Sequence, residues 1–194
     1  MATLILIRHG QSLGNAERRF TRGPDEPLTD LGREEARAAG RLVAAHYAPV
    51  ALYASPFHRA HETARLIGEA IALEPVIVEA LREQYFGDLH GRPYDEFAQA
   101  AEASPSARWE RRPPGGETLR EVALRAGPAL DAIAARHAGE PVVVVSHGGV
   151  MAALRGHATR DLVSEPAVSP NAAGYVLTHD GRRYHGPHEV GKAP

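Results

Sequence analysis

Residues 1–15, MATLILIRHGQSLGN, carry the strongest indication of the fold in this sequence. Residues 3–7 form an apolar run that is too short for a stable helix and is followed by a glycine-containing turn. Such a run is typical of a strand that is buried on both faces in a parallel sheet. Arg8 and His9 stand where this strand must end, and ligands of open α/β sheets bind beyond the carboxyl ends of the strands. We therefore expect the chemistry of the protein here.

A second stretch repeats this design near the other end of the chain. Residues 142–145 are four consecutive valines, and Ser146, His147, Gly148 and Gly149 follow them. Glycines at the start of a helix leave backbone N–H groups that bind an anion. Two predicted strands thus each deliver a histidine, followed by glycine, to the same edge of a sheet. This pairing is the main indication of function in the sequence.

The composition is that of an ordinary globular protein. The 194 residues are 43% hydrophobic and 24% charged, which suffices for the core of one domain. The net charge of −2 gives no broad basic surface, so we expect no nucleic-acid partner. The absence of cysteine excludes disulfides, thiolate metal sites and cysteine nucleophiles. No segment approaches the roughly 20 apolar residues that cross a bilayer, and the N-terminal run does not fit a signal peptide, so we expect a cytoplasmic protein with no membrane partner.

Strand and helix patterns alternate along the chain. Further strands are predicted at residues 50–53, 76–78 and 175–177. Helices are predicted after the N-cap residues Thr29 and Ser55, and over residues 93–103, 117–137 and 149–157. Pro128 is expected to kink or divide the long helix, and the tail beyond Arg183 is expected to be loosely held.

This alternation predicts a three-layer α/β/α sandwich. We expect its central sheet to be mostly parallel. No internal repeat or linker interrupts the chain, so residues 1–194 are predicted to form a single domain. Loops inserted around residues 80–116, which show little periodicity, are predicted to form a small cap on it.

Two further stretches carry residues that suit phosphate chemistry. Arg59 stands in the first turn of the helix after Ser55, where a cation opposes the helix dipole, and this indicates an anion close by. Glu83 lies among aromatic and apolar neighbours, which raise a carboxyl pKa toward neutrality, as a general acid requires. Taken singly, these signals also fit an exposed arginine and an ordinary solvated glutamate.

Together and in this order, the motifs resemble the histidine phosphatase superfamily, which has the phosphoglycerate mutase-like fold. The segments that carry the resemblance cover nearly the whole chain: RHGQSLGN, LTDLGREEA, SPFHRAHETA, LREQYFGDLHG, PPGGET and VVVVSHGG. The resemblance implies that His9 is the nucleophile that becomes a phosphohistidine and that Glu83 is the proton donor. It further implies that Arg8, Arg59 and His147 surround the phosphate.

Further substrate-binding residues are predicted around this set. They are Asn15, the Gly148 N–H, Gln11 and Arg22. Two arginines and a histidine compensate the charge of a transferring phosphoryl group without a metal, so we expect no metal and no cofactor. Nine loop residues are candidates to cover the pocket: Arg18, Arg22, Tyr85, Phe86, His90, Arg92, Trp109, Arg111 and Arg112.

The resemblance leaves three functions open: a phosphomonoesterase, a cofactor-dependent phosphoglycerate mutase, and a non-catalytic binder of phosphate or phosphoproteins. Mutases of this family carry a longer insertion between the acid and the second histidine, whereas the interval from Glu83 to His147 is compact here. Residues 114–118, PGGET, resemble a motif of the phosphatase branch. The sequence therefore favours a metal-independent phosphatase of small phosphorylated metabolites. Its substrate, and whether it is a monomer or a homodimer, stay open.

Overall fold

The computed structural model describes residues 1–97 and 108–191. Its strands are β1 (Ala2–Arg8), β2 (Ala51–Ala54), β3 (Pro75–Ile77), β4 (Pro141–Ser146), β5 (Gly174–His179) and β6 (Tyr184–Glu189). They form one six-stranded sheet in the order β3-β2-β4-β1-β5-β6. The first four strands are mutually parallel, and β5 and β6 extend the sheet antiparallel at one edge. The mostly parallel sheet predicted from the sequence is confirmed.

Helices cover both faces of this sheet. They are α1 (Leu13–Ala16), α2 (Asp30–His46), α3 (His58–Ile71), α4 (Leu119–Arg136) and α5 (Gly148–Thr159), with 3-10 turns at Glu79–Leu81 and Gly87–Leu89. Ile5 and Ile7 of β1 pack into an apolar cluster with α2 and α3, whereas Leu4 and Leu6 pack into a second cluster with α4 and α5. The valines of β4 alternate between the same two clusters. The α/β/α sandwich is therefore confirmed, and β1 lies at its centre.

Of the two helix N-caps that the sequence predicts, Thr29 and Ser55, one is observed. Thr29 caps α2 as predicted, since its hydroxyl accepts a hydrogen bond from the Gly32 N–H at 3.0 Å. The predicted N-cap at Ser55 is wrong, because α3 begins at His58 and its N-cap is Phe57. The Ser55 hydroxyl instead lies 2.7 Å from His147 Nε2, so a tertiary contact takes the place of the cap.

Two other expectations are corrected. Of the two outcomes expected at Pro128, division of the helix is wrong, because α4 continues through that residue, and a kink stays a prediction. The carbonyl that loses its helical partner there is that of Leu124, a residue 69% exposed, so the lost hydrogen bond lies on the solvent side of the helix. The expectation of a loosely held tail beyond Arg183 is wrong for residues 184–189, which form β6 and pair with β5. Tyr184 at its start donates a hydrogen bond to Asp131 Oδ1 at 2.7 Å, a long-range contact that the polar sequence does not signal.

The cap falls partly outside the described residues. Of the helix predicted over residues 93–103, residues 94–97 are helical, and residues 98–103 lie outside the described part of the chain. A small cap around residues 80–116 on a single domain of residues 1–194 therefore stays a prediction. Within the described ranges, no helix is long and apolar enough to cross a membrane.

Candidate active site

The pairing of β1 with β4 brings the two histidines together. Arg8 is in register with Ser146, and the His9 N–H donates to the Ser146 carbonyl at 2.9 Å. The next residues therefore leave the sheet side by side, and the rings of His9 and His147 lie 5.1 Å apart at 62°. The expectation that both strands deliver a histidine to the same sheet edge is confirmed.

The loop after His9 is held by close backbone packing. A Cβ atom at Gly10 would collide with the carbonyl oxygen of Gly32 at the start of α2, so only glycine fits here. The Gly10 N–H donates to the hydroxyl of Thr63, on α3, at 3.1 Å. Helices α2 and α3 thus fix the direction in which His9 leaves the strand.

The contacts of His9 define its tautomer. Its Nδ1 lies 2.6 Å from the Gly10 carbonyl, which only accepts, so the ring proton is on Nδ1. The Nε of Arg59 donates to His9 Nε2 at 3.2 Å, which requires a lone pair on that atom. His9 therefore presents a neutral ring with an unprotonated Nε2, the form that a nucleophile needs.

Burial and charge keep His9 in that form. The residue is 2% exposed, and burial lowers its pKa well below the ordinary value. The positive charges of Arg59 and Arg8 lower the pKa of His9 further, while the Gly10 carbonyl opposes the shift. The imidazole is accordingly neutral at pH 7.

Arg59 combines burial with few neutralising contacts. It lies in the first turn of α3, is 2% exposed, and stacks on the Phe57 ring with its Cζ 5.3 Å from the ring centroid. Its Nη1 donates to the Thr21 hydroxyl at 3.3 Å. Because the guanidinium stays charged beside His9, it is placed to hold an anion there.

Two further polar atoms at the site are buried without partners. Arg8 donates through Nη1 to the Ser169 carbonyl at 2.8 Å, but its buried Nε has no hydrogen-bond partner among the described residues. His147 is fully buried, and its Nε2 faces Ser55, but its Nδ1 likewise has no hydrogen-bond partner among the described residues. Buried polar groups are nearly always hydrogen-bonded, so two such atoms beside His9 are placed to bind an anion.

Glu83 stands above the start of α5. Its Oε1 accepts the Gln84 N–H at 2.8 Å, and its Oε2 lies 4.0 Å from His147 Nδ1. Burial raises the pKa of Glu83 above its ordinary value, against the lowering effect of Arg59 and of the Gln84 N–H. The shift favours the protonated acid that a proton donor must be.

These groups line a cavity of about 650 Å³ at the carboxyl end of the parallel strands. Its lining residues include Arg8, His9, Arg59 and Glu83, and also the predicted substrate-binding residues Asn15 and Gly148. His147 lies just behind this wall, in ring contact with His9. A Cβ atom at Gly148 would lie 3.4 Å from Arg8 Cζ, so the N-terminus of α5 adjoins that guanidinium.

Two predicted binding residues are not brought to the cavity wall in the described parts of the chain. The Gln11 side chain instead accepts a hydrogen bond from the Thr29 hydroxyl at 2.9 Å. Arg22 is exposed, and its backbone N–H donates to Glu26 at 2.9 Å. Asn15 does line the cavity, where its Nδ2 donates to the Tyr94 hydroxyl at 3.0 Å and its Oδ1 accepts from Asn171 at 2.9 Å.

Comparison with known proteins agrees with this geometry. The family model of the histidine phosphatase superfamily, branch 1, matches residues 4–186. The chain belongs to the histidine phosphatase superfamily. The resemblance stated from the sequence motifs is thereby confirmed, and the chain is an enzyme of this superfamily.

The relatives of this histidine phosphatase superfamily member include both mutases and phosphatases. The 2,3-bisphosphoglycerate-dependent phosphoglycerate mutase 2 of Gloeobacter violaceus is 40% identical over 79% of this chain and 74% of its own length. The metal-independent phosphoserine phosphatase of Arabidopsis thaliana is 34% identical over 78% of this chain and 66% of its own length. A mycobacterial glucosyl-3-phosphoglycerate phosphatase in complex with VO3 has a TM-score of 0.84 and 29% identity, and covers 98% of this chain and 99% of that chain.

Three residues at the site of this superfamily member were not singled out for it from sequence. Ser55 contacts His147, Asn171 donates to the His9 carbonyl at 3.1 Å, and Arg108 lines the cavity. Each comes from a segment distant in sequence and has a residue type that is common in loops. Within residues 1–97 and 108–191, no group of three or more His, Cys, Asp or Glu is arranged to hold a metal ion.

Proposed function

We propose that this chain is a metal-independent phosphomonoesterase that hydrolyses small phosphorylated metabolites through a phosphohistidine on His9. The observation that carries the proposal is the pair of buried atoms without partners in the described chain, Arg8 Nε and His147 Nδ1, beside an unprotonated His9 Nε2. A phosphoryl group at that position would satisfy both atoms and present its phosphorus to the nucleophile.

In the first step, the Nε2 lone pair of His9 attacks phosphorus and the bond to the alcohol oxygen breaks. The proton of Glu83 goes to the leaving oxygen, which avoids an alkoxide. Negative charge on the three equatorial oxygens is compensated by Arg8, Arg59 and His147, and by the free N–H groups at the start of α5. These groups are in place before the reaction, so little reorganisation is needed.

In the second step, the Glu83 carboxylate takes a proton from water as the water oxygen attacks phosphorus. The P–N bond breaks, and its electron pair returns to His9 Nε2. Inorganic phosphate leaves, and the neutral histidine and the protonated Glu83 are restored. One carboxyl group thus acts as acid and then as base, a role that suits its raised pKa.

Hydrolysis is favoured over phosphoryl return by two observations. The interval from Glu83 to His147 is compact, which favours access of water to the phosphohistidine. The phosphatase from mycobacteria matches this chain over almost the full length of both proteins. A phosphoglycerate mutase is the second candidate, because the mutase of Gloeobacter violaceus is 40% identical to this chain.

Parallel assays separate these functions. We expect p-nitrophenyl phosphate to be hydrolysed at a rate that a chelator leaves unchanged, and a radiolabelled phosphoenzyme to be trapped by rapid quench. His9→Ala should abolish both signals, because the variant lacks the Nε2 lone pair that attacks phosphorus in the proposed reaction. A coupled assay of 3-phosphoglycerate isomerisation should give little activity. Isomerisation with negligible hydrolysis would establish the mutase instead, and phosphate binding without any phosphoenzyme would establish a binder.

A further inference from the structure

The two ring nitrogens of His147 have different surroundings. Nε2 lies 2.7 Å from the Ser55 hydroxyl oxygen, whereas Nδ1 has no hydrogen-bond partner among the described residues. The ring packs in edge contacts with two others, since its centroid lies 5.1 Å from that of His9 and 5.5 Å from that of Phe57. A neutral imidazole carries one proton, and the hydrogen bond at one nitrogen sets whether the other carries it. The contact with Ser55 therefore decides whether Nδ1 can donate to an anion.

Ser55 is fixed by the sheet and by the turn that follows it. It comes directly after β2, and its N–H donates to the Val145 carbonyl of β4 at 3.0 Å. Its hydroxyl oxygen accepts the Phe57 N–H at 3.2 Å, and the residue is fully buried. Within residues 1–97 and 108–191, the only acceptor that forms a hydrogen bond with this hydroxyl group is His147 Nε2. The hydroxyl hydrogen therefore has one direction in which it is accepted.

The pair of Ser55 and His147 can be protonated in two ways. If Nε2 carries the ring proton and donates to Ser55, the hydroxyl hydrogen is buried without an acceptor and Nδ1 presents a lone pair to the phosphate. If Ser55 donates to Nε2, its hydroxyl group is satisfied on both sides and the ring proton lies on Nδ1, where an anion accepts it. Buried polar groups are nearly always hydrogen-bonded, and an unsatisfied donor costs stability, so the second arrangement is favoured.

The environment of His147 disfavours a ring that is protonated on both nitrogens. Burial lowers the pKa of His147 well below the ordinary value, and the positive charge of Arg59 lowers it further. Glu83 Oε2 lies 4.0 Å from Nδ1, beyond hydrogen-bond distance, so it does not hold the Nδ1 proton away from a bound anion. His147 is therefore neutral at pH 7, and its single proton is the one that Ser55 directs.

We propose that Ser55 is a positioning residue that donates its hydroxyl hydrogen to His147 Nε2 and thereby fixes the tautomer whose Nδ1–H binds the transferring phosphoryl group. This inference rests on the proposed phosphatase function. Ser55 acts through His147 and does not itself contact the phosphate. Because the donor is already aimed when negative charge builds on the phosphoryl oxygens, it stabilises the transition state without reorganisation.

Nitrogen NMR tests the tautomer directly. Two-bond proton–nitrogen correlation spectra of protein labelled with ¹⁵N-histidine report which ring nitrogen is protonated, and the His147 signals are identified by their absence from His147→Gln. We expect wild-type His147 at pH 7 to carry its proton on Nδ1, and Ser55→Ala to show a mixture of both tautomers. Ser146→Ala is the matched control, because Ser146 is also buried but donates its hydroxyl hydrogen to the Leu81 carbonyl at 2.9 Å. It should leave the tautomer unchanged.

Steady-state kinetics test the role of that tautomer. Ser55→Ala should lower kcat by about 10- to 100-fold with a smaller change in KM, because a donor to the developing charge is no longer aimed. Ser55→Thr keeps the hydroxyl group and should restore both kcat and the wild-type spectrum. In the His147→Gln background, Ser55→Ala should cause no further loss of kcat. Losses that add in the double variant would show that Ser55 does not act through His147.

The outcomes distinguish this inference from the proposed function. A wild-type His147 that carries its proton on Nε2 overturns the role of Ser55 and leaves the phosphatase standing, as does an unchanged tautomer in Ser55→Ala. This wild-type spectrum decides the matter even where a variant fails to fold. If the wild type hydrolyses no phosphate monoester, the phosphatase proposal fails, and the spectra still test the tautomer. Added inorganic phosphate should then shift the Nδ1 signal of the wild type more than the Nε2 signal, and a shift confined to Nε2 would contradict the inference.

Discussion

At the scale of single residues, the site separates two titratable groups by environment. Burial lowers the pKa of His9, and the two neighbouring arginines lower it further, whereas at Glu83 burial outweighs the effect of those same charges and raises the pKa. One group is therefore held unprotonated and the other is biased toward protonation at one pH. An unprotonated nucleophile beside a protonated acid is the arrangement that nucleophilic attack with proton donation to the leaving group requires.

Glu83→Gln should reduce kcat by about 10²–10⁴-fold on alkyl phosphates, because the leaving alkoxide loses its proton donor. The rate of phosphohistidine formation should fall less with p-nitrophenyl phosphate, because its leaving group departs without a proton. Wild-type activity should fall at low pH as His9 is protonated and at high pH as Glu83 loses its proton. Steady-state pH profiles check this. Survival of the alkaline limb in Glu83→Gln would assign that limb to another group.

At the scale of elements, the long helix α4 positions the loop that carries Glu83. Arg125 donates through Nη1 to the carbonyls of Ala80, at 2.7 Å, and Arg82, at 3.0 Å. Its Nη2 contacts Glu117 Oε2 at 2.9 Å, and the same oxygen accepts the Tyr85 N–H at 2.9 Å. One guanidinium thus holds the backbone on the N-terminal side of the acid, and its ion pair holds the backbone on the other.

Arg125→Met should lower kcat by about 10- to 100-fold with a smaller change in KM, because displacement of the acid impairs proton transfer more than phosphate binding. The loss of a positive charge that lowers the pKa of Glu83 should move the alkaline limb of the pH profile upward. Arg136→Met, in the exposed last turn of the same helix, is the control. A purely structural role for Arg125 would reduce the amount of folded protein without moving that limb.

At the scale of the whole molecule, two histidines are buried uncharged at the centre of the fold. Burial lowers the pKa of both His9 and His147 well below the ordinary value. The unfolded chain therefore takes up protons at these positions first as pH falls, and the folded state loses stability below about pH 6.5. The raised pKa of Glu83 acts in the opposite direction, since protonation of that buried group favours the folded state.

The free energy of unfolding should consequently decrease between pH 7 and pH 5, and His147→Gln should flatten this dependence. Urea unfolding at several pH values provides the measurement.

Inorganic phosphate at 100 times its Kd should stabilise the wild type by about 2.7 kcal/mol at pH 7, and Arg59→Met should lose most of that gain. Equal stabilisation of Arg59→Met by phosphate would place the anion elsewhere.

The two buried strands, each followed by a histidine, the mostly parallel sheet and the superfamily are all evident from the sequence alone. These follow from apolar runs and short motifs, which act over a few residues and so are legible in one dimension. The edge strand β6 was missed because its residues are polar and its pairing with β5 is a tertiary event. The continuity of α4 through Pro128 likewise depends on which side of the helix faces water.

Which other side chains gather around the two histidines and the cavity depends on the tertiary structure. Three of these residues lie in segments that are distant in sequence. Ser55 contacts His147, Asn171 donates to the His9 carbonyl, and Arg108 lines the cavity. Gln11, though two residues from His9, has its side chain bonded to Thr29 instead. The reason is physical: strand ends fix where the reaction occurs, but long-range packing of loops determines which groups meet the rest of the substrate.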